Sequence, residues 1–171
     1  MSADDLIDYV RATFGLDRST PATLTPSGRG ALGQVSRLEI GSRRYAVKEL
    51  FGDEAPASAL IAAEVEFTAL AASVGVRVAA SHPATDGRYV VPMLSGSGWL
   101  RLNAWLDTAP LHPRADGLPA QLGTLLGRLH TCAPASDREP SGAAPDAWYD
   151  APPAADGWPP MVDAALAANA A

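Results

Sequence analysis

Gly28-Arg29-Gly30-Ala31-Leu32-Gly33-Gln34-Val35, read together with Lys48 in Tyr45-Ala46-Val47-Lys48, decides how this chain is understood. The first stretch has the pattern G-x-G-x-x-G-x-V. Glycines let a main chain bring its N–H groups close to an anionic group, because no side chain stands in the way. A lysine on the following rigid element adds the positive charge that the phosphates of a nucleotide require. The glycines alone are weak evidence in a chain of 171 residues with 15 Gly. The lysine sharpens them: every other basic residue is arginine, so a compact ammonium is singled out at position 48. A solvated surface lysine is the plainer alternative.

The residues after the glycines separate two kinds of nucleotide fold. A dinucleotide fingerprint needs a helix to begin inside the string. Here Gln34–Ile40 and Arg43–Leu50 flank Gly41-Ser42, which predicts an antiparallel hairpin. Alternation along the second strand puts Ala46 and Lys48 on one face. A small residue there leaves room for an adenine ring, and Val35 can close over the same space. The dinucleotide reading falls behind.

Around this centre, residues 4–15 predict a helix with Ser2 or Asp4 as its cap and Leu6, Ile7, Val10 and Phe14 on one face. Pro21 to Pro26 is expected to break the chain. Residues 56–74 predict a second helix that stops at Gly75, with an apolar stripe of Leu60, Phe67, Leu70 and Val74. Spacing puts Glu64 on that stripe and turns Glu66 about 200° away toward solvent. A carboxylate on a buried face needs a cation, and Lys48 is the expected partner; a place at the stripe's edge, in reach of water, is the alternative. Arg88–Leu94 and Gly98–Leu106, joined by Ser95-Gly96-Ser97-Gly98, predict a second hairpin. Leu118, Leu122, Leu125, Leu126 and Leu129 mark another helix ending at His130. Residues 134–160 hold seven prolines and read as an irregular connector, with Trp148 and Trp158 as candidate pins, and a last apolar pattern begins at Met161. The class is α+β with a mostly antiparallel sheet of about five strands.

Composition sets the outer limits. Hydrophobic residues make up 47% of the chain, enough for a core, and charged residues 19%. The net charge of −6 argues against nucleic-acid and anionic-membrane partners, and residues 103–171 carry most of it. That acidic half would suit a cationic substrate, although a solvated acidic linker is the simpler explanation. A lone cysteine, Cys132, permits no internal disulfide, and the acidic N-terminus is unlike a signal peptide, so a cytoplasmic protein that is not exported is expected.

The order of glycine turn, Ala46-x-Lys48, helix glutamate, second hairpin and connector resembles the ATP-binding lobe of a protein-kinase-like fold. More narrowly, it resembles the aminoglycoside phosphotransferase and choline-kinase-like family. Glu64-Val65-Glu66-Phe67-Thr68-Ala69-Leu70 leading to Val74-Gly75-Val76, and Leu122-Gly123-Thr124-Leu125-Leu126-Gly127-Arg128-Leu129-His130, both look like stretches of that family. The resemblance covers about residues 20–130. It implies an N-lobe over residues 1–106 and the hinge, helix and connector of an incomplete, helical second lobe over 107–171.

By matching position, the resemblance implies that Gly28, Gly30 and Gly33 cover the phosphates of ATP. Lys48, paired with Glu64, would bind the α- and β-phosphates, while Val35 and Ala46 flank the base. The hinge would be Ala104–Asp107, with Trp105 and Leu106 offering backbone groups to adenine; the run Tyr89–Leu94 competes for that role. The family also needs an H-x-D-x-x-x-x-N loop and a later Asp for Mg²⁺. His82, His112 and His130 are followed by Pro-Ala, Pro-Arg and Thr-Cys, so none begins that loop. Catalytic residues and Mg²⁺ ligands are therefore expected outside this chain, which alone is expected to be inactive: a fragment of an enzyme acting on a small hydroxyl acceptor, or a truncated, non-catalytic relative.

Overall fold

Apolar and polar residues alternate along Leu100-Arg101-Leu102-Asn103, and the fold follows from giving that strand one greasy face and one polar face. The structure, a computed structural model, describes residues 2–109 and 116–132. In chain order the elements are α1 (Ala3–Phe14), β1 (Ala22–Arg29), β2 (Gly33–Ile40), β3 (Arg43–Leu50), α2 (Ser58–Ser73), β4 (Ser81–His82), β5 (Val91–Pro92), β6 (Trp99–Ala104) and α3 (Leu118–Cys132). The six strands form one sheet in the order β1-β2-β3-β6-β4, with β5 also paired to β6, and every pairing is antiparallel.

Register sorts the side chains. Val47 stands opposite Ser36 on one side and Leu102 on the other, and Leu38 stands opposite Tyr45. This puts Leu38, Ile40, Val47, Leu100 and Leu102 on one face, where Leu6, Ile7, Val10 and Phe14 of α1 close over them. Val10, Leu38, Val47, Leu100 and Leu102 are fully buried. Each such side chain contributes about 1.5–3 kcal/mol relative to exposure. The opposite face carries Val35 and Arg37 from β2, Ala46 and Lys48 from β3, and Arg101 and Asn103 from β6, brought level by the pairs Val35–Lys48, Lys48–Arg101 and Ala46–Asn103.

Helix α1 matches its sequence signals. Ser2 accepts from the Asp5 N–H while the Asp5 carboxylate accepts from the Ser2 N–H, a capping box, and Gly15 closes the far end in the left-handed region. Gly75 ends α2 as expected: at φ 80, its N–H reaches Ala72 O while the Val76 N–H reaches Ala71 O.

Other expectations are corrected. Pro21–Pro26 does not break the chain, because β1 runs through Pro26 with a bulge between Pro26 and Gly28. An edge strand tolerates the missing N–H. The sheet has six strands where about five were expected, since β4 is too short to show any periodicity. In the second hairpin only Val91–Pro92 of Arg88–Leu94 is strand. Asp86 accounts for part of this, accepting from the Arg88 backbone N–H at 3.0 Å and pairing with its guanidinium at 2.6 Å. The expected stripe on α2 is not buried: Leu60 is 71% and Phe67 41% exposed. With Leu60, Ile61, Ala62, Ala63, Val65 and Phe67 in sequence, the helix is apolar on all sides and its spacing selects no face. Helix α3 runs on to Cys132 and also buries none of its leucines. His112, the 134–160 connector, Trp148, Trp158 and the pattern from Met161 lie outside the described residues.

Candidate functional site

The glycine string straddles the β1–β2 turn. Gly28 sits in the end of β1, Gly30 in the turn and Gly33 at the start of β2, with the Gly30 N–H donating to Gly33 O at 2.8 Å. The three glycines serve different ends. A Cβ on Gly33 would lie 2.3 Å from the Glu49 carbonyl oxygen, so Gly33 is needed for β2 to approach β3. A Cβ on Gly28 or Gly30 would meet nothing within 4 Å, and neither residue has a positive φ. The fold makes no demand for glycine at these two places. A hollow of about 360 Å³ runs along Gly28, Arg29, Gln34 and Val35.

Val35, Ala46 and Lys48 come together as the sequence predicts, on the sheet face opposite α1. Ala46 is buried between Arg37 and Asn103, its two cross-strand partners, and Val35 stands opposite Lys48. Trp105 and Leu106, half-buried, come directly after β6. The Trp105 N–H donates to Arg44 O at 3.3 Å, and Asp107 takes a bidentate pair from Arg44 at 2.6 and 2.7 Å. Arg37 stands over the Trp105 ring at 5.7 Å. The segment expected as hinge is thus tied to the outer end of β3.

The expected Lys48–Glu64 pair is not formed. Glu64 faces the sheet, but its carboxylate accepts two bonds from Arg101, at 2.9 Å each. Among the described residues Lys48 makes no ion pair. Geometry decides the competition: Arg101 and Lys48 are cross-strand neighbours, and a planar guanidinium meets both carboxylate oxygens where an ammonium meets one. Glu64 is also less buried than its spacing implied, with half its side chain exposed. Sequence reasoning passed over Arg101. The alternation Leu100-Arg101-Leu102-Asn103 did hold a signal, since it puts Arg101 and Asn103 on the face away from the core.

The Glu64 carboxyl is held below its usual value of 4.5, first by the hydrogen bond from Arg101, against some burial, with the charges of Arg101 and Lys48 assisting. A carboxylate lowered in this way stabilises the fold fully above its unfolded value, and the contribution is lost as pH falls through the folded one. The Glu64 link should therefore be complete at neutral pH and fail on acidification below 4.5. An NMR titration of the Glu64 carboxyl is expected to show this, and Arg101→Met should move its midpoint upward.

A larger hollow, of about 520 Å³, lies between the start of α2, Arg88–Val90 and Trp99. Of the residues the sequence singles out, Tyr89 and Val90 of the competing hinge run line it, and its one cation, Arg88, is already paired with Asp86. Among the sequence-predicted site residues, Gly28 and Val35 line the smaller hollow; Lys48 does not line it and is the cross-strand neighbour of Val35. Among the described residues no three acidic, histidine or cysteine side chains gather. No helix among them is long and apolar enough to cross a membrane.

The fold is shared with part of solved kinase structures, two of which are as follows. Spectinomycin phosphotransferase APH(9)-Ia, in complex with ADP and spectinomycin, superposes with a TM-score of 0.56 at 14% identity, over 78% of this chain and 39% of that one. Amicoumacin kinase hAmiN, in complex with AMP-PNP, Ca²⁺ and Ami, does so with a TM-score of 0.58 at 15% identity, over 81% of this chain and 42% of that one. At these identities the likeness is one of fold, and the chain spans about two-fifths of either enzyme. No family model and no curated protein matches the sequence.

Proposed function

We propose that this chain is the ATP-binding portion of a small-molecule O-phosphotransferase of the aminoglycoside phosphotransferase kind. One observation carries the reading: open ground above Gly28 and Gly30, where the fold needs no glycine, lies on the sheet that carries Lys48, an ammonium with no ion pair among the described residues. In this reading the glycine turn covers the phosphates and Lys48 holds the α- and β-phosphates. Val35 and Ala46 bear on the adenine, and Trp105 and Leu106 offer it backbone groups. ATP supplies the phosphoryl group. Residues 1–106 form the nucleotide lobe and 107–171 begin a second lobe, with the catalytic-loop Asp and the Mg²⁺ ligands outside this chain. The acceptor is a small hydroxyl compound, and a cationic one would suit the acidic second half.

The alternative is a non-catalytic nucleotide-binding or interaction module. Leu122, Leu125 and Leu126 of α3 are 47%, 37% and 54% exposed, which favours a lobe that packs against more protein over a self-contained module. Calorimetric titration with ATP and Mg²⁺ tests the reading. The parent chain is expected to bind weakly, and Lys48→Ala to lose about ten- to a hundredfold in affinity, as the loss of a charged phosphate contact implies. Equal affinities would remove Lys48 from the site.

A further inference from the structure

Helix α2 has few attachments of its own. Ala57 provides no side-chain cap, no acidic residue stands in the first turn, no basic residue in the last, and Ala71 is its one buried residue. Against that background stands the paired 2.9 Å contact between Glu64, midway along the helix, and Arg101 of β6. Arg101 is itself fixed. Its side chain is 7% exposed, it lies within the sheet between β3 and β4, and it also donates to Ser81 Oγ at 3.2 Å.

We propose that Arg101 is the positioning residue that docks α2 on the sheet, and that it thereby leaves the neighbouring Lys48 free for a phosphate. A lysine that must hold a helix glutamate and a nucleotide together ties the helix position to nucleotide occupancy. Two adjacent cations divide those tasks. The forked guanidinium, always charged, takes the carboxylate; the compact ammonium one strand away keeps its three donors for an anion. Docking of α2 then does not wait for nucleotide. The part concerning Lys48 rests on the proposed nucleotide function, whereas the docking of α2 by Arg101 does not.

Hydrogen exchange of the α2 amides, residues 58–73, separates these parts in the chain and its Arg101→Met, Arg101→Lys and Lys48→Ala variants, each with and without ATP and Mg²⁺. Arg101→Met is expected to speed α2 exchange about tenfold while β2 and β3 keep their protection, since one charge-assisted double contact is lost. Arg101→Lys should restore part of the protection, because an ammonium can satisfy one carboxylate oxygen. Lys48→Ala should leave α2 at the parent rate; ATP with Mg²⁺ should leave α2 unchanged in both and slow exchange in the glycine turn, residues 28–35, of the parent only. An α2 indifferent to Arg101→Met would overturn the proposal. So would an equal loosening by Lys48→Ala, or a rise spread over the whole sheet in Arg101→Met. If the parent chain shows no ATP binding, the nucleotide reading falls, and the α2 rates still decide whether Arg101 docks the helix.

Discussion

Gly33→Ala is expected to cost about 3 kcal/mol of stability, a large part of what holds a small domain together. The added Cβ would stand 2.3 Å from the Glu49 carbonyl oxygen. That atom belongs to the β3 backbone, paired in register with β2 through Gly33–Leu50, so no flexible side chain can yield. Gly98 presses on the same strand end from the other side, where its Cβ would lie 2.6 Å from Leu50 O. Relief by sliding β3 is therefore blocked. Gly28→Ala and Gly30→Ala should behave in the opposite way. Neither residue has a positive φ or a crowding neighbour, so alanine there should leave stability within about 0.5 kcal/mol of the parent, while ATP affinity falls. Urea unfolding followed by circular dichroism measures all three. Similar losses at the three positions would show that the glycines share one role.

Glu64→Leu should be costlier than Arg101→Met, although both remove the same ion pair. Leucine at 64 strands the Arg101 guanidinium in a site 7% exposed, with Ser81 Oγ at 3.2 Å as its remaining hydrogen-bond partner among the described residues. An uncompensated buried charge of this kind costs about 3 kcal/mol. Methionine at 101 leaves the carboxylate instead, and half of the Glu64 side chain already faces water. That loss should be near 1 kcal/mol, close to the upper end for an exposed pair. Unfolding free energies at neutral pH give the difference directly. Equal costs, or the reverse order, would mean that the guanidinium is better solvated than its burial indicates.

Helix α1 could be read nearly whole from sequence, because each of its determinants is local: the Ser2–Asp5 box, the 3-4 spacing of Leu6, Ile7, Val10 and Phe14, and Gly15 at the end. The β2–β3 hairpin was legible for the same reason, and with it the shared face of Val35, Ala46 and Lys48. Glu64 was correctly turned toward the sheet and given the wrong cation. Its partner depends on the register of β3 against β6, which sets Lys48 beside Arg101 across a long separation in sequence. Nothing between those positions encodes that register locally. The apolar stripe on α2 misled because an alanine-rich helix without a polar side has no preferred face. Pro26 misled in the other direction, because a proline reads as a stop unless the strand is known to lie at an edge.

That edge has a bearing on how the sheet behaves at high concentration. Open sheets tend to recruit one another strand to strand, through the unpaired N–H and C=O groups of their outermost members. Here β1 presents a ladder with a gap at Pro26 and a bulge before Gly28, and β4, at the other end of the strand order, is only two residues long. Neither border offers a run of backbone groups long enough to template another chain. A chain that exposes Leu32, Leu60, Leu94 and Leu126 is therefore directed toward association through side chains on its surface, which charge and salt can tune, and away from the fibrillar stacking that continuous strand edges promote.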